Sequence, residues 1–187
     1  MRLIYLDVAC RCALIVVFAV SAFTKSYGSE SFARFVRSVR DMGVLPERVA
    51  ARPVALAVVS AEVAIPLLLV VPSAATGSAG FVLAAGLLLG FTVAIVLSVR
   101  RGNQTPCRCF GHSTVPLGVR HVWRNGALIL VAASGAVAAM TGAGTTEPGV
   151  TAVAVVAGLV VGGLVTVFDD LAELVSPSAP RRKETLR

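Results

Sequence analysis

Apolar residues along this chain gather into five long runs, separated by connections that are either polar or basic. The runs extend over about Tyr5 to Thr24, Val54 to Val71, Ala79 to Val99, Gly126 to Met140 and Val150 to Phe168. A helix needs about 20 consecutive apolar residues to cross the hydrocarbon core of a bilayer. A soluble helix shows a polar face every few residues, and several of these runs show none. The pattern therefore predicts an all-α fold, a polytopic transmembrane helical bundle of four to five spans.

One further element differs in kind. Between Glu30 and Met42, the residues Phe32, Phe35, Val36 and Val39 recur on one helical face, with Arg34, Arg37 and Arg40 opposite. This is the signature of an amphipathic helix lying in the interface, its arginines toward anionic headgroups. Pro46 and Pro53 precede the second run and Pro72 closes it, so a short turn joins the second and third spans in a tight hairpin. A polar turn over 142–149 separates the last two. Beyond Asp169 and Asp170 come Pro177, Pro180 and the run Arg181, Arg182, Lys183, with too little apolar content to pack. The expected organisation is a transmembrane domain over 1–168 and a disordered basic tail over 169–187.

The first run contains Asp7 and Arg11, four residues apart and able to pair on one helical face. Val20-Ser21-Ala22 has the small residues of a signal-peptide cleavage site. Asp7 and Arg11 fall where the apolar core of such a peptide builds, which favours a span.

Composition reinforces the membrane reading. A mean hydropathy of +0.84 over 187 residues exceeds what one soluble core can hide, so lipid is the solvent. The net charge of +7 would suggest nucleic acid in a soluble protein. Here the basic residues cluster beside apolar runs without interleaved aromatics, as juxtamembrane segments do, which argues for the bilayer as partner and against nucleic acid. The first and third connections and the tail are basic, whereas the second and fourth contain neither Lys nor Arg; by that bias the third connection is cytoplasmic.

The third connection carries the strongest candidate for chemistry, Cys107-Arg108-Cys109-Phe110-Gly111-His112 behind Pro106. The proline favours a non-helical backbone that leaves the thiols at the water boundary. Arg108, Arg120, Arg124, His112 and His121 supply positive charge that stabilises a thiolate, the nucleophile of disulfide exchange. A disulfide between residues two apart closes a small ring, and strained disulfides are the more oxidising ones. The same spacing also suits ordinary reduced thiols in a tight loop whose Gly111 supplies a turn. As a metal site, Cys107, Cys109 and His112 lack a fourth ligand nearby and match no common zinc spacing. Cys10 and Cys12 repeat the Cys-Arg-Cys pattern within a helix, where positions two apart point to nearly opposite sides, so they read as small apolar fillers outside the site.

Glu62 lies near the middle of the second run, where an ionisable side chain needs a partner or a proton. Lys25 and Arg124, both near the boundary on the side of the cysteines, are the candidate partners. Its role is open between a proton relay or quinone contact and a neutral packing hydrogen bond. Arg124-Asn125 opens the fourth span, where the arginine either snorkels to headgroups or supports the cysteines.

Taken in order, Ser-Ala-Phe-Thr-Lys25, Gly43-Val44-Leu45-Pro46, Glu62, Cys107-Arg108-Cys109-Phe110-Gly111 and Arg124-Asn125 resemble the MauE family within the DoxX-like membrane proteins, over about Leu6 to Met140. The resemblance implies a compact helical bundle. It also implies a role in disulfide maturation of the small subunit of methylamine dehydrogenase, with a thioredoxin-like partner. Cys107 and Cys109 would then be the redox pair on an extracytoplasmic loop, with Glu62, Lys25, Arg124, Asn125, Phe110 and Gly111 in support. The analogy with DsbB and vitamin K epoxide reductase makes a quinone one candidate cofactor and leaves the cofactor itself open; the resemblance implies a multi-pass protein of the cell membrane. The alternatives are a non-enzymatic scaffold or maturation factor and a small-solute transporter working through Glu62. The transporter has against it the lack of an internal repeat.

Overall fold

The computed structural model describes residues 2–46, 48–101, 119–141 and 147–175, and those residues form helices and short connections without a strand. The elements are α1 (Arg2–Ser26), α2 (Ser29–Asp41), α3 (Ala51–Val70), α4 (Ala74–Arg100), α5 (Val119–Thr141) and α6 (Pro148–Val175). Five of them, all but α2, are long and apolar enough to cross a membrane. The 20 residues of α3, the shortest of the five with α2 set aside, extend about 30 Å at 1.5 Å per residue, enough for the hydrocarbon core.

Helix α3 packs against the bundle along one narrow stripe and leaves the rest to lipid. On α3 that stripe is Ala51, Ala55, Glu62, Ile65 and Leu69; Leu56, Val63, Leu67 and Val70 face outward. Helices α1, α3, α4 and α5 close a ring, each touching the next, around a core of Leu14, Val17, Phe18, Ile65, Phe81, Leu88 and Ile95. Helix α6 stands outside the ring against α1.

Two polar contacts define the ends. Arg101, at the end of α4, donates to the Gly43 carbonyl between α2 and α3. At the opposite end, the Glu147 N–H donates to the Tyr5 hydroxyl at 3.1 Å, joining the start of α6 to the start of α1. The ends of α1 and α4 and the starts of α3 and α5 therefore share one face, which carries most of the arginines and is called the basic face below.

Asp7 and Arg11 pair as the spacing predicts, with Arg11 Nε 3.0 and 2.9 Å from the two carboxylate oxygens. The arginine does more than pair. Its Nη1 donates to the carbonyls of Leu69 and Val71 at 3.0 and 2.8 Å, and its Nη2 to that of Ser73 at 3.2 Å. The last carbonyls of a helix have no partner within it, and in hydrocarbon that deficit costs several kcal/mol per group unless a side chain fills it. One guanidinium thus caps α3 and ties the α3–α4 hairpin to α1. Gly77 on α4 leaves the space it occupies, since a Cβ there would overlap the guanidinium.

Helix α2 matches the amphipathic pattern, with Arg37 and Arg40 exposed. Its apolar face is not left to lipid alone: Phe35, Ser38 and Met42 are buried where α2 lies over α1 and α3. Pro53, expected before the second span, sits inside the first turn of α3, where a missing N–H breaks no helical bond. The helical backbone of α6 continues to Val175, past the expected tail boundary at 168/169; residues 176–187 lie outside the described residues.

Lipid tails are as apolar as leucine, so α6 needs close backbone approach to adhere. It has it in Ala154, Gly158 and Gly162, spaced by four along one face and all buried. A Cβ at Gly162 would stand 2.7 Å from the Ala13 carbonyl oxygen and 2.9 Å from the Val16 Cβ, whereas one at Gly163 would meet nothing. Gly162→Leu is therefore expected to lower bundle stability by about 1–3 kcal/mol through overpacking. Gly163→Leu should leave it unchanged, as read by thermal unfolding of the two variants in the same detergent.

Candidate functional site

Ser21 and Lys25 lie one helical turn apart on the inner face of α1, near its basic-face end. Helical side chains lean toward the N-terminus of their own helix. The long stem of Lys25 accordingly runs back into the bundle, and its residue is 3% exposed. Across from it, Glu62 on α3 is completely buried. The Lys25 ammonium donates to Glu62 Oε1 and, at 2.9 Å, to Ser21 Oγ. The serine hydroxyl in turn donates to Glu62 Oε1 at 3.0 Å. These three side chains close a small ring of charge-assisted hydrogen bonds, the stronger class of such bonds.

Aromatic faces complete the surroundings of the cation. The Phe35 ring centroid, from α2, lies 4.9 Å from Lys25 Nζ, and that of Phe91, from α4, lies 5.2 Å away. Both are within the range at which a ring quadrupole attracts an ammonium, and the attraction grows where water is excluded. Four elements thus converge on one charge. Glu62 Oε2 has no hydrogen-bond partner among the described residues. The backbone beside it is also altered: Pro66, one turn on, has no N–H to give the Glu62 carbonyl.

A second polar layer lies between α4 and α5. Asn125, completely buried, donates from Nδ2 to Thr92 Oγ1 at 3.3 Å, and the Thr92 hydroxyl donates to the Leu88 carbonyl at 2.8 Å. Thr92 adjoins Phe91, so this layer borders the Lys25 ring contact. His121, one turn before Asn125, is buried, and Arg124 is half-buried.

Of the expected site residues, Lys25 and Glu62 meet directly, and Lys25 rather than Arg124 is the partner seen for the Glu62 carboxylate. Asn125 is in the adjoining layer. Cys107, Cys109, Phe110 and Gly111 lie outside the described residues; the helices on either side of their segment, α4 and α5, end and begin at the basic face. Cys10 and Cys12 are free thiols that diverge as helical spacing requires. Cys10 is 3.6 Å from Ser134 Oγ on α5, and Cys12 packs at Gly158 of α6.

Sequence reasoning missed Ser21, Phe35 as a cation contact, Phe91 and Thr92. The position of Ser21 four residues before Lys25 was a usable signal. Phe91 and Thr92 sit in an uninterrupted apolar run and gave none.

The fold and this site define a small multi-pass helical membrane protein that buries a lysine–glutamate pair against two aromatic rings. The sequence model of the family described as methylamine utilisation protein MauE matches residues 3–139, essentially α1 to α5, and the chain belongs to that family. No curated protein and no solved structure matches it.

Removing one member of a buried ion pair strands the other charge, at a cost of about 3–5 kcal/mol, whereas replacing both with apolar groups is often neutral or better. Lys25→Met and Glu62→Leu are each expected to destabilise the protein by that amount. The double variant should recover most of the loss in a double-mutant cycle of unfolding free energies.

Proposed function

We propose that this protein is a membrane thiol–disulfide oxidoreductase, or the membrane accessory of one, with Cys107 and Cys109 as the exchanging pair. The observation that carries the reading is the position of the Lys25–Glu62–Ser21 cluster. It is buried toward the same basic face at which α4 and α5 leave for and return from the segment that contains both cysteines. In dithiol exchange a buried acid–base pair at that face has a use, because exchange moves protons as well as electrons.

In the proposed reaction a thiolate of a partner protein attacks one sulfur of the Cys107–Cys109 disulfide and forms a mixed disulfide. The partner's second thiolate then displaces the bound sulfur. The partner leaves as a disulfide, and Cys107 and Cys109 hold the two electrons as thiols after taking up two protons. Arg108 and Arg124 lie near enough in sequence to favour the thiolate. The partner this chemistry calls for is a thioredoxin-like protein. The client class is exported, disulfide-containing protein, of which the family description points to one in methylamine utilisation. On this reading the connection faces the extracytoplasmic side of the cell membrane.

Thiol trapping in intact cells tests it. A membrane-impermeant alkylating reagent is expected to label Cys107 and Cys109 only after reduction, and Cys107→Ser or Cys109→Ser should abolish client oxidation while leaving the protein in the membrane. Labelling by permeant reagent alone, without prior reduction, together with full client maturation in both serine variants, would replace this reading with that of a membrane scaffold.

A further inference from the structure

A cavity of about 240 Å³ lies between α2, α3 and α4, with Phe35, Met42, Val58 and Phe91 in its wall and no polar side chain among the described residues that line it. On α4 the wall runs from Gly86 to Ala94, about 12 Å at 1.5 Å per residue. Because α4 ends and α3 begins at the basic face, Ala94 and Val54 mark the end of the cavity nearer that face, and Gly86 and Val58 the deeper end. The cavity is therefore a slot that runs along the spans. Gly86 and Gly90 are exposed, one turn apart on α4, and a Cβ added at either would meet nothing, so the side toward lipid is open.

The end near the basic face is charged. Arg101 follows Ala94 by seven residues, which continues the same helical face, and it donates to the Gly43 carbonyl beside Val44 of the wall. That bond occupies one N–H of a guanidinium that has five, arranged in a planar fork suited to phosphate. Arg37, Arg40, Arg48, Arg52 and Arg100 are exposed at the same end, and the acidic residues near them in sequence are Asp41 and Glu47. Phe35 and Phe91 line the slot and are also the rings beside the Lys25 ammonium, whereas Lys25 and Glu62 do not line it.

We infer that this slot binds one anionic phospholipid of the surrounding bilayer, with one acyl chain between α2, α3 and α4 and the phosphate at Arg101. The wall offers a ligand nothing to hydrogen-bond, so a polar group placed in it would lose its water without return. A methylene chain has no such group. Its direction also matches, because acyl chains run from headgroup toward midplane as the slot does. The volume, below the roughly 300–1,000 Å³ of pockets that enclose a whole drug-sized ligand, suits one chain whose companion stays outside the two glycines. Charge selects the headgroup: a zwitterionic lipid brings a cation along with its phosphate to these arginines, whereas phosphatidylglycerol brings a net negative charge.

Such a site differs from the attraction of the α2 arginines for headgroups at large, which asks nothing of the chain. A chain in the slot packs on Phe35 and Phe91 and so helps to hold α2 over the ion pair. None of this depends on the thiol chemistry proposed above.

The test is native mass spectrometry of the full chain released from dodecyl maltoside micelles with added palmitoyl-oleoyl phosphatidylglycerol or phosphatidylcholine. The wild-type protein is expected to retain one phosphatidylglycerol saturably and to bind phosphatidylcholine about fivefold more weakly or worse. Arg101→Gln should weaken phosphatidylglycerol about fivefold, the worth of one basic residue near an anionic surface. Gly90→Leu and Val58→Phe, which fill the slot from two different helices, should weaken it about tenfold or more, since each methylene kept out is worth about fourfold. Dihexanoyl phosphatidylglycerol, whose chains are too short to fill the slot, should bind the wild-type protein as weakly, a result that needs no variant to fold. Equal retention of the two long-chain lipids overturns the inference, as does phosphatidylglycerol binding unchanged by both filling variants and by shortening of the chains. Binding that responds to Arg101→Gln alone reveals headgroup attraction with no chain in the slot, and overturns it too.

Discussion

A lysine and a glutamate buried in hydrocarbon cannot be left apart, because each isolated charge there costs far more than any single packing contact returns. In this protein that constraint joins α1 to α3 through Lys25 and Glu62. Nearer the opposite end, Arg11 joins the same two helices by capping the last carbonyls of α3 and holding Asp7. Two polar fastenings near opposite ends of one helix pair fix both its register and its rotation, which apolar surfaces in lipid do only weakly. The rest of the bundle is arranged on that pair.

Helix α1 carries three different faces as a result. Its polar positions, Arg11, Ser21 and Lys25, meet α3, while Leu14, Val17 and Phe18 fill the ring closed by α4 and α5. Small residues at Ala9, Cys12 and Ala13 receive the glycines of α6. The family match ends at residue 139, so the matched part is the ring of four spans together with α2, and α6 adheres outside it by close backbone approach.

The location of the ion pair also explains why α2 is more than a surface float. By bringing Phe35 against Lys25, it supplies one of the two rings around the cation and one wall of the cavity between α2, α3 and α4. An element readable as lipid-facing thus becomes part of the site. The Gly43 carbonyl after α2 receives Arg101 at the end of α4, so the interfacial helix and the entry to the cysteine segment are fastened to each other.

The sequence by itself determined the number, kind and approximate limits of the spans, because uninterrupted apolar length is a local property that needs no partner to be read. It also determined the Asp7–Arg11 pair, set by helical spacing alone, and marked Glu62 as a residue in need of a partner. Only the tertiary structure decided that the partner is Lys25, that Ser21 bridges them, and that Phe35 and Phe91 enclose the ammonium; these contacts join residues far apart in the chain whose meeting depends on which helices are neighbours and how each is rotated. The same reason hid the wider role of Arg11, whose carbonyl partners belong to another helix's end, and the docking of α6, whose glycines read from sequence as ordinary members of an apolar run.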